Sequence, residues 1–329
     1  MGIGLKIEEA NNKVLKGMLG AEPVWIDLKP AIEVVPGMKE NMILHAGPPI
    51  EWEQICGVQR NGIIGGILHQ GLAKTKEEAV SLIEQGKIEV AAANDHRVVG
   101  AGVGILCARM YVLVVKDKIS GEEGYCFPVE GPYRGGLGGW GVYNEKIEKN
   151  LQLLENVLCP MLSKLLKDCG GINAKSIIAK GTQMGDESHS RQTAEGLLLI
   201  NELMPYVVRM DIDREDMIQC VDFLTKTERF FHHIGMAAAM SILQSVSGID
   251  YSTVVTALAG NGVEYGIKIS ALPDAWFTEP APMIEGKYFS GQWGPDNAIP
   301  WLGDSCVVEA VGLGGFAAAA GPAVLQLRG

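Results

Sequence analysis

The chain contains few aromatic and charged residues and no cluster of basic ones. Aromatic side chains make up 6% and charged side chains 20% of the 329 residues, and the formal net charge is −11. A nucleic-acid-binding surface needs clustered Lys and Arg, so this class of function is not expected. Long disorder is also not expected, because the chain has no charge runs and its hydrophobic content of 47% is enough for a substantial core.

Long apolar runs, a signal peptide and closely spaced cysteines are lacking as well. No stretch reaches the roughly 18 uninterrupted apolar residues of a membrane span, and the most apolar segment, from Val307 to Leu325, contains Glu309 and several glycines. The first residues lack the apolar core of a signal peptide. The seven cysteines are widely spaced and form no C-x-x-C motif, which is typical of reduced thiols. We therefore expect a cytoplasmic protein without a membrane span.

Glycine is abundant, with 42 residues, roughly twice its average usage. Strand-like and helix-like segments alternate up to the glycine-dense segment 131–141, which predicts α/β architecture and a boundary. Helical patterns dominate from Asn144 onward, a further helix is predicted over 253–259, and strands are predicted over 263–270 and 276–278. The sequence thus predicts a multi-domain α/β fold with an inserted helical subdomain. Its parts are an N-terminal α/β domain of residues 1–143, a helical subdomain of 144–250 and a C-terminal α/β segment of 251–329 that packs back on the first.

A strand, a stiff turn and a helix are predicted around Gly47-Pro48-Pro49. The apolar run before the turn ends at His45, and a helical pattern starts at Glu51 and runs to about Gln70. Such turns lie at the carboxyl edge of a sheet, where α/β proteins bind ligands. His45 and Glu51 are therefore candidate catalytic residues, although a purely structural turn could carry both by chance.

The segment Met184–Arg191 combines acidic, imidazole and guanidinium groups ahead of a predicted helix. Arg191 could bind a carboxylate or phosphate through two parallel hydrogen bonds, and His189 could transfer protons. Three interpretations stay open. The segment could be an anion site, a metal site formed by Asp186, Glu187 and His189, or an ordinary helix start with an ion pair between Glu187 and Arg191.

Three further polar segments could bind the anionic part of a substrate. The first follows the strand predicted over 87–90, the second is an Asn-Gly turn, and the third precedes the glycines at 312–315. Their candidate residues are Asn94, His96, Asn261, Asp304, Ser305 and Glu309. Each segment could instead be a plain turn or a place of close helix packing. The adjacent pair His232-His233 is expected to contribute one residue to the core and one to the surface. A metal-ligand role is not expected for either, because no partner has metal-ligand spacing.

These segments together resemble one family, the AllG (YlbE-like) family. The resemblance covers nearly the whole chain and rests on His45–Trp52, Met184–Arg191, Asn261-Gly262, Gly303–Ser305 and Glu309–Phe316. It implies a multi-domain α/β fold with a helical insertion and a role as a subunit of an oxamate carbamoyltransferase in anaerobic allantoin breakdown. The implied reaction is phosphorolysis of the carbamoylated substrate oxalurate by phosphate, which gives oxamate and carbamoyl phosphate. The implied partners are FdrA-type and other subunits, a homo-oligomer is compatible with this, and no cofactor or metal is expected.

The implied chemistry assigns roles to the candidate residues. Carbamoyl transfer to phosphate passes through a tetrahedral oxyanion, which needs cationic or N–H donors and a proton donor for the leaving nitrogen. We expect Arg191 to bind phosphate or the substrate carboxylate, and His45 or His189 to be the general acid/base, oriented by Asp186 and Glu187. Two alternatives remain: a metal-dependent amidohydrolase built on Asp186, Glu187 and His189, and a non-catalytic scaffold subunit.

Overall fold

The computed structural model of the protein describes residues 2–131, 135–184, 191–283, 285–288 and 291–318. Helices and strands are mixed along the chain, so the predicted α/β fold class is confirmed. Within the described ranges, no helix is both long enough and apolar enough to cross a membrane.

The regular elements alternate in the first third of the chain, become helical in the middle and return to strands near the end. The helices are α1 (Ile3–Gly20), α2 (Ala31–Val34), α3 (Gly57–Gln70), α4 (Lys76–Glu84), α5 (Glu145–Leu153), α6 (Cys159–Cys169), α7 (Ala174–Met184), α8 (Gln192–Val207), α9 (Arg214–Lys226), α10 (Phe230–Ser245), α11 (Val307–Ala310) and α12 (Gly315–Ala318). The strands are β1 (Pro23–Pro30), β2 (Met42–His45), β3 (Glu89–Ala92), β4 (Val98–Val99), β5 (Leu106–Cys107), β6 (Tyr111–Asp117), β7 (Glu123–Cys126), β8 (Ile172–Asn173), β9 (Val255–Asn261), β10 (Glu264–Ile269), β11 (Leu272–Pro280) and β12 (Leu302–Gly303). Short 3-10 helices lie at Trp52–Gln54, Ala93–His96 and Pro295–Asn297, and a π-helix at Leu154–Leu158 joins α5 to α6.

The largest sheet in the described part of the chain has the strand order β4-β7-β6-β1-β8. Its central strand β6 is buried on both faces, because Val112, Leu113, Val114 and Val115 are all at most 3% exposed and successive side chains of a strand point to opposite faces. Helices α6 and α10 pack against this sheet. Gly124 in β7 permits the close approach of α10, since an added Cβ would lie 2.4 Å from the Ala237 carbonyl oxygen.

A second sheet has the order β3-β2-β5, and its strands β2 and β3 are parallel. His45 at the end of β2 is the register partner of Ala92 at the end of β3. The carboxyl ends of both strands therefore lie at the same edge, which places the turn after His45 beside the 3-10 helix Ala93–His96. This is the edge at which the sequence predicts ligand-binding side chains.

The helix predicted to start at Glu51 begins later. Trp52–Gln54 form a 3-10 turn, Cys56 adopts the extended conformation of an N-cap residue, and the α-helix starts at Gly57. Proline at 48 and 49 fixes φ but does not force the residues after it into one continuous helix. The early start was therefore wrong, while the strand and the turn before it are confirmed.

The helix predicted over 253–259 was also wrong, because the chain from Val255 onward forms strand β9, which belongs to a sheet with the order β11-β10-β9-β12. Its register pairs Leu258 with Ile267 of β10. The β-branched residues Val254, Val255 and Thr256 favour the pleated conformation, and pairing on both sides of the strand decides the outcome.

The middle of the chain is helical as predicted, from α5 to α10, with only the two-residue strand β8 between them. Asn144 starts α5 by accepting hydrogen bonds from the backbone N–H groups of Lys146 and Ile147, the expected action of an Asn N-cap. One hydrophobic cluster extends from Trp25 to Val308 through all three predicted parts. The division at residues 143 and 250 stays a prediction.

Candidate functional site

Asp304 ties together three chain segments in the interior. Its Oδ1 accepts the Gly47 N–H at 2.7 Å and its Oδ2 accepts the Gly100 N–H at 3.0 Å. The side chain is buried, and burial raises its pKa to about 7, although both backbone hydrogen bonds oppose this shift. The turn after β2, the glycine loop 100–104 and the segment after β12 therefore meet at one carboxyl group. We call this the Asp304 junction.

Asn261 belongs to the same junction. Its Nδ2 donates to the Pro48 carbonyl at 3.2 Å, and its Oδ1 accepts the N–H groups of Val263 and Glu264 at 3.0 and 2.7 Å. A Cβ added to Gly47, whose φ is +89°, would lie 2.4 Å from the Asn261 backbone nitrogen. Backbone thus packs directly on backbone here, which only glycine permits. The amide of Asn261 is used in holding two turns together.

His45 lies at this junction in a buried, uncharged form. Its Nδ1–H donates to the Ala46 carbonyl at 2.8 Å, and burial lowers its pKa. Because a carbonyl only accepts hydrogen bonds, Nδ1 carries the proton and the neutral ring leaves Nε2 unprotonated. His45 therefore has the electronic state of a base, but it is only 1% exposed. Its predicted catalytic role stays a prediction.

The other predicted residues of this region lie around the junction in different environments. Asn94 is buried, while Ser305 is half-buried and Glu51 is exposed at the start of a 3-10 helix. His96 is half-buried and its Nδ1–H donates to the Pro36 carbonyl at 2.6 Å. The substrate-binding roles predicted for them stay predictions.

Arg191 lies apart from the junction, between the start of α8 and the glycine-rich segment after α11. It is 2% exposed, its Nε donates to Glu195 Oε1 at 2.7 Å, and its Nη2 donates to the Leu313 carbonyl at 3.3 Å. Glu309 accepts the Gly315 N–H at 2.7 Å in the same region. Both charged groups thus hold the glycine-rich segment in place, and the anion-binding role predicted for Arg191 stays a prediction.

The acidic and imidazole groups predicted to act with Arg191 are Asp186, Glu187 and His189, and they lie outside the described residues. The metal hypothesis built on them lies there too. Among the residues that the structure does describe, no group of three His, Cys, Asp or Glu side chains could hold a metal ion.

Within the described residues, a cavity of about 330 Å³ opens between the glycines at 131, 135, 136 and 139 and the start of α10. This volume is within the range of small-molecule sites, about 300–1,000 Å³. The polar residues of its wall include Glu130, Thr227, Arg229 and His233. The sequence predicted the glycine segment only as a loop and boundary. Its prediction that one of His232 and His233 lies at the surface was wrong, because both are buried.

Glu130 fixes the shape of the glycine segment on one side of the cavity. Its Oε2 accepts the Leu137 N–H and its Oε1 accepts the Gly138 N–H, both at 2.6 Å. Burial raises the pKa of this carboxyl group to about 7, against the effect of the two hydrogen bonds. Glu130 therefore changes ionisation near neutral pH while it holds two backbone N–H groups of the cavity wall.

His233 lies on the opposite wall, in the first turn of α10. Its Nδ1–H donates to the Phe127 carbonyl at 2.7 Å. Burial lowers its pKa to about 4, and the positive charge of Arg229 contributes to the shift. The ring is thus neutral at pH 7, with an unprotonated Nε2. Groups whose pKa values are shifted apart in one cavity are typical of acid/base sites.

The loop 100–104 connects the Asp304 junction with the cavity. The N–H groups of Val103 and Ile105 donate to the carbonyls of Gly139 and Gly138 at 3.1 and 3.0 Å. Asp304 holds the 100–104 loop from one side, and this loop holds the cavity's glycine segment on the other. The predicted residues His45, Asn261 and Asp304 therefore lie on the side of this loop that faces away from the cavity, and they contribute to the position of the glycine segment.

Comparisons with known proteins agree with the family resemblance. Residues 88–305 match the family described as oxamate carbamoyltransferase subunit AllG. The chain is 33% identical over 325 residues to the oxamate carbamoyltransferase subunit AllG of Escherichia coli K12, covering 98% of this chain and 77% of that protein. It is 36% identical over 324 residues to the E. coli K12 protein YahG, described as uncharacterized, covering 98% and 68%. The crystal structure of a conserved protein of unknown function from Enterococcus faecalis V583 matches with a TM-score of 0.93 at 33% identity, over 100% of this chain and 78% of that chain.

Proposed function

The chain belongs to the AllG family, and from this premise we propose that it is a subunit of a carbamoyltransferase that converts oxalurate and phosphate to oxamate and carbamoyl phosphate. The structural observation that supports this most directly is the polar cavity of about 330 Å³. It combines a carboxyl group that titrates near pH 7 with a neutral histidine. The matched range 88–305 contains every cavity residue used in this argument.

The reaction requires one proton to move between two substrates. A phosphate oxygen forms a bond to the carbamoyl carbon, and the bond from that carbon to the amide nitrogen of oxamate breaks. The proton of hydrogen phosphate ends on that nitrogen. We assign this transfer to Nε2 of His233, which accepts the proton from phosphate and returns it to the leaving nitrogen. The ring is unprotonated at the working pH, and the negative charge of bound phosphate beside it would raise its pKa toward the range in which a general base is efficient.

The carbamoyl oxygen becomes negatively charged during the attack and needs hydrogen-bond donors fixed in advance. We assign this task to the backbone of the glycine segment, whose position depends on Glu130. His45, Asn261 and Asp304 would act by holding the loop behind it. Arg191 stays a proposed contact for phosphate or the substrate carboxylate, and His189, oriented by Asp186 and Glu187, stays a proposed acid/base.

The proposal includes partners and a pathway. The E. coli relative is named as a subunit, and we infer that this chain also works with other subunits, of the FdrA type. We place the reaction in allantoin breakdown in the cytoplasm, where the carbamoyl phosphate formed would retain the energy of the cleaved carbamoyl bond.

The test is formation of carbamoyl phosphate from oxalurate and phosphate, by the chain alone and by the chain co-expressed with its partner subunits. His233→Gln should abolish turnover in whichever preparation is active. The matched control is His232→Gln, which changes the adjacent histidine of α10 and leaves the cavity wall intact. Absence of carbamoyl phosphate from both preparations would refute the reaction. Full activity of His233→Gln would refute the assigned base and leave the reaction standing.

A further inference from the structure

Thr227 carries a buried hydroxyl group that has no hydrogen-bond partner among the residues that the structure describes. The residue is 2% exposed and belongs to the cavity wall, and no described residue offers its Oγ1 a hydrogen bond. A buried hydroxyl left unpaired loses its hydrogen bonds to water and gains none in return. Such groups are uncommon in folded proteins and call for a physical explanation. A ligand in the neighbouring cavity that accepts a hydrogen bond would provide one.

Helix α10 starts three residues later, and its N-terminus borders the same cavity. The helix is 16 residues long, and within the described chain no side chain caps its first turn. The N-terminus of a helix carries a partial positive charge and directs backbone N–H groups outward, so it favours anions. The N–H groups of Phe230 and His232 already donate to the carbonyls of Thr227 and Arg229 at 3.0 and 3.1 Å, so the helix contributes mainly its dipole. This partial positive charge and the unpaired hydroxyl favour the same kind of ligand.

Arg229 adds a full positive charge at this position. It is exposed, and within the described residues it forms no ion pair. The remaining charged groups of the wall are already engaged. Lys226 pairs with Asp222 at 2.6 Å, Glu228 accepts a hydrogen bond from the Thr193 hydroxyl at 3.1 Å, and both oxygens of Glu130 accept backbone N–H groups. Among the wall residues that the structure describes, Arg229 is thus the cation that no acidic side chain pairs.

We propose that Thr227, Arg229 and the N-terminus of α10 form the phosphate subsite of the cavity. The choice of phosphate rests on the proposed function, whereas the binding of a tetrahedral oxyanion rests on the donors themselves. A guanidinium, a hydroxyl and a helix N-terminus are donors that suit a phosphate group. Arg229 and His233 are four residues apart at the start of α10 and so lie on one face. Phosphate bound by Arg229 would therefore present its proton to the ring of His233.

Direct binding of inorganic phosphate tests this subsite without any need for turnover. Titration calorimetry at constant ionic strength, balanced with chloride, is applied to the full chain and to its complex with co-expressed partners. Arg229→Gln should weaken phosphate binding about tenfold or more, the usual loss for one hydrogen bond to a charged group. Arg209→Gln, which changes an exposed arginine outside the cavity wall, should bind phosphate like the unchanged chain.

Thr227→Val separates a ligand role from a structural one. The valine side chain is close in shape and removes a hydroxyl that has no described protein partner. The melting temperature should therefore stay unchanged or rise, while phosphate binding weakens several-fold. A lowered melting temperature with unchanged phosphate binding would assign the hydroxyl to the fold and overturn the subsite.

The last experiment repeats the phosphate titration in the presence of oxamate, the part of oxalurate that remains after carbamoyl transfer. Phosphorolysis requires phosphate and the carbamoylated substrate to be bound at the same time. Oxamate should leave phosphate affinity unchanged or increase it, and direct competition between the two would overturn the assignment. Phosphate binding that is absent from both preparations, or unaffected by Arg229→Gln and Thr227→Val, would also overturn it. Carbamoyl phosphate formation that survives either result would leave the proposed function intact. A phosphate site confirmed by both variants without any turnover of oxalurate would keep the subsite and refute the reaction.

Discussion

His69 connects α3 to the α5 region through a buried cationic contact, and its replacement should destabilise the fold in a pH-dependent way. Its Nδ1–H donates to Glu148 and its Nε2–H donates to Glu155, both at 2.7 Å. Since both ring nitrogens donate to carboxylates, the ring is protonated. Burial alone would lower its pKa, but the hydrogen bonds and charges of Glu155 and Glu148 outweigh burial and raise the pKa above 6.5.

The magnitude follows from what His69→Leu would leave behind. The side chain of Glu155 is 8% exposed and would keep only Arg109, at 2.6 Å, while Glu148 is 25% exposed and could turn to water. Breaking a fully buried ion pair costs about 3–5 kcal/mol. Because one carboxylate keeps a partner and the other is partly solvated, we expect a loss of about 2–3 kcal/mol in the free energy of unfolding.

Urea unfolding followed by circular dichroism measures this loss, with Glu33→Gln as the control. Glu33 forms an exposed i,i+4 pair with Lys29, which is worth about 0.5 kcal/mol or less. The pKa of His69 is raised in the fold, so its stabilisation is complete below pH 6.5 and is lost as the pH rises through the folded pKa. The stability difference between the unchanged chain and His69→Leu should shrink accordingly. A difference that does not depend on pH, or one below about 1 kcal/mol at pH 6, would refute the charged contact.

Three more outcomes follow from the loops around the cavity. Gly104→Ala should lower the free energy of unfolding by about 3 kcal/mol or more, because φ is +76° and the new Cβ would lie 2.5 Å from the Ala46 nitrogen. The control is Gly121→Ala, where φ is +83° and the space around the Cβ is open. It should cost only about 1 kcal/mol in the same urea assay. Asp304→Asn should cost about 2 kcal/mol, since its amide N–H₂ would face a backbone N–H. Because the pKa of Asp304 is raised from 3.8 to about 7, the unchanged chain should lose stability as the pH rises through this range, and Asp304→Asn should not show this loss. Glu130→Gln should remove the ionisation near pH 7 from the pH–rate profile of carbamoyl phosphate formation, and a profile that keeps this ionisation would assign it to another group.

Local patterns in the sequence predict the elements whose stability is mainly local. The cap at Asn144 and the amphipathic repeats after it identified the helices of the middle third, and Gly-Pro-Pro identified the turn after β2. The predicted helix over 253–259 was wrong because pairing of β9 with β10 and β12 outweighs the weak helical preference of this segment. The pattern also failed at Glu51, because periodicity alone does not distinguish a 3-10 turn followed by a cap from a continuous helix.

The cavity could not be predicted because its walls are far apart in sequence. Glu130 and the glycine segment form one side, and Thr227, Arg229 and His233 form the other, about a hundred residues later. No local periodicity connects these segments, since α10 is brought to β7 by a contact at Gly124. The available signal was a single carboxylate directly before a glycine-dense loop, where it can accept several backbone N–H groups.

The same arrangement, a buried carboxyl group that accepts two backbone N–H groups, occurs at Asp304 and at Glu130. It connects the residues predicted from the sequence with the cavity. Asp304 and Glu130 are both buried, both accept two backbone N–H groups, and both have a pKa of about 7. Asp304 accepts the Gly100 N–H, and the N–H groups of Val103 and Ile105, at the end of the same loop and directly after it, donate to the carbonyls of Gly139 and Gly138. Glu130 accepts N–H groups of the same glycine segment. A shift at Asp304 would therefore reach the cavity wall through backbone hydrogen bonds alone. The residues that stand out in the sequence thus fix the position of glycines in the cavity wall, which are the proposed contacts for the substrate.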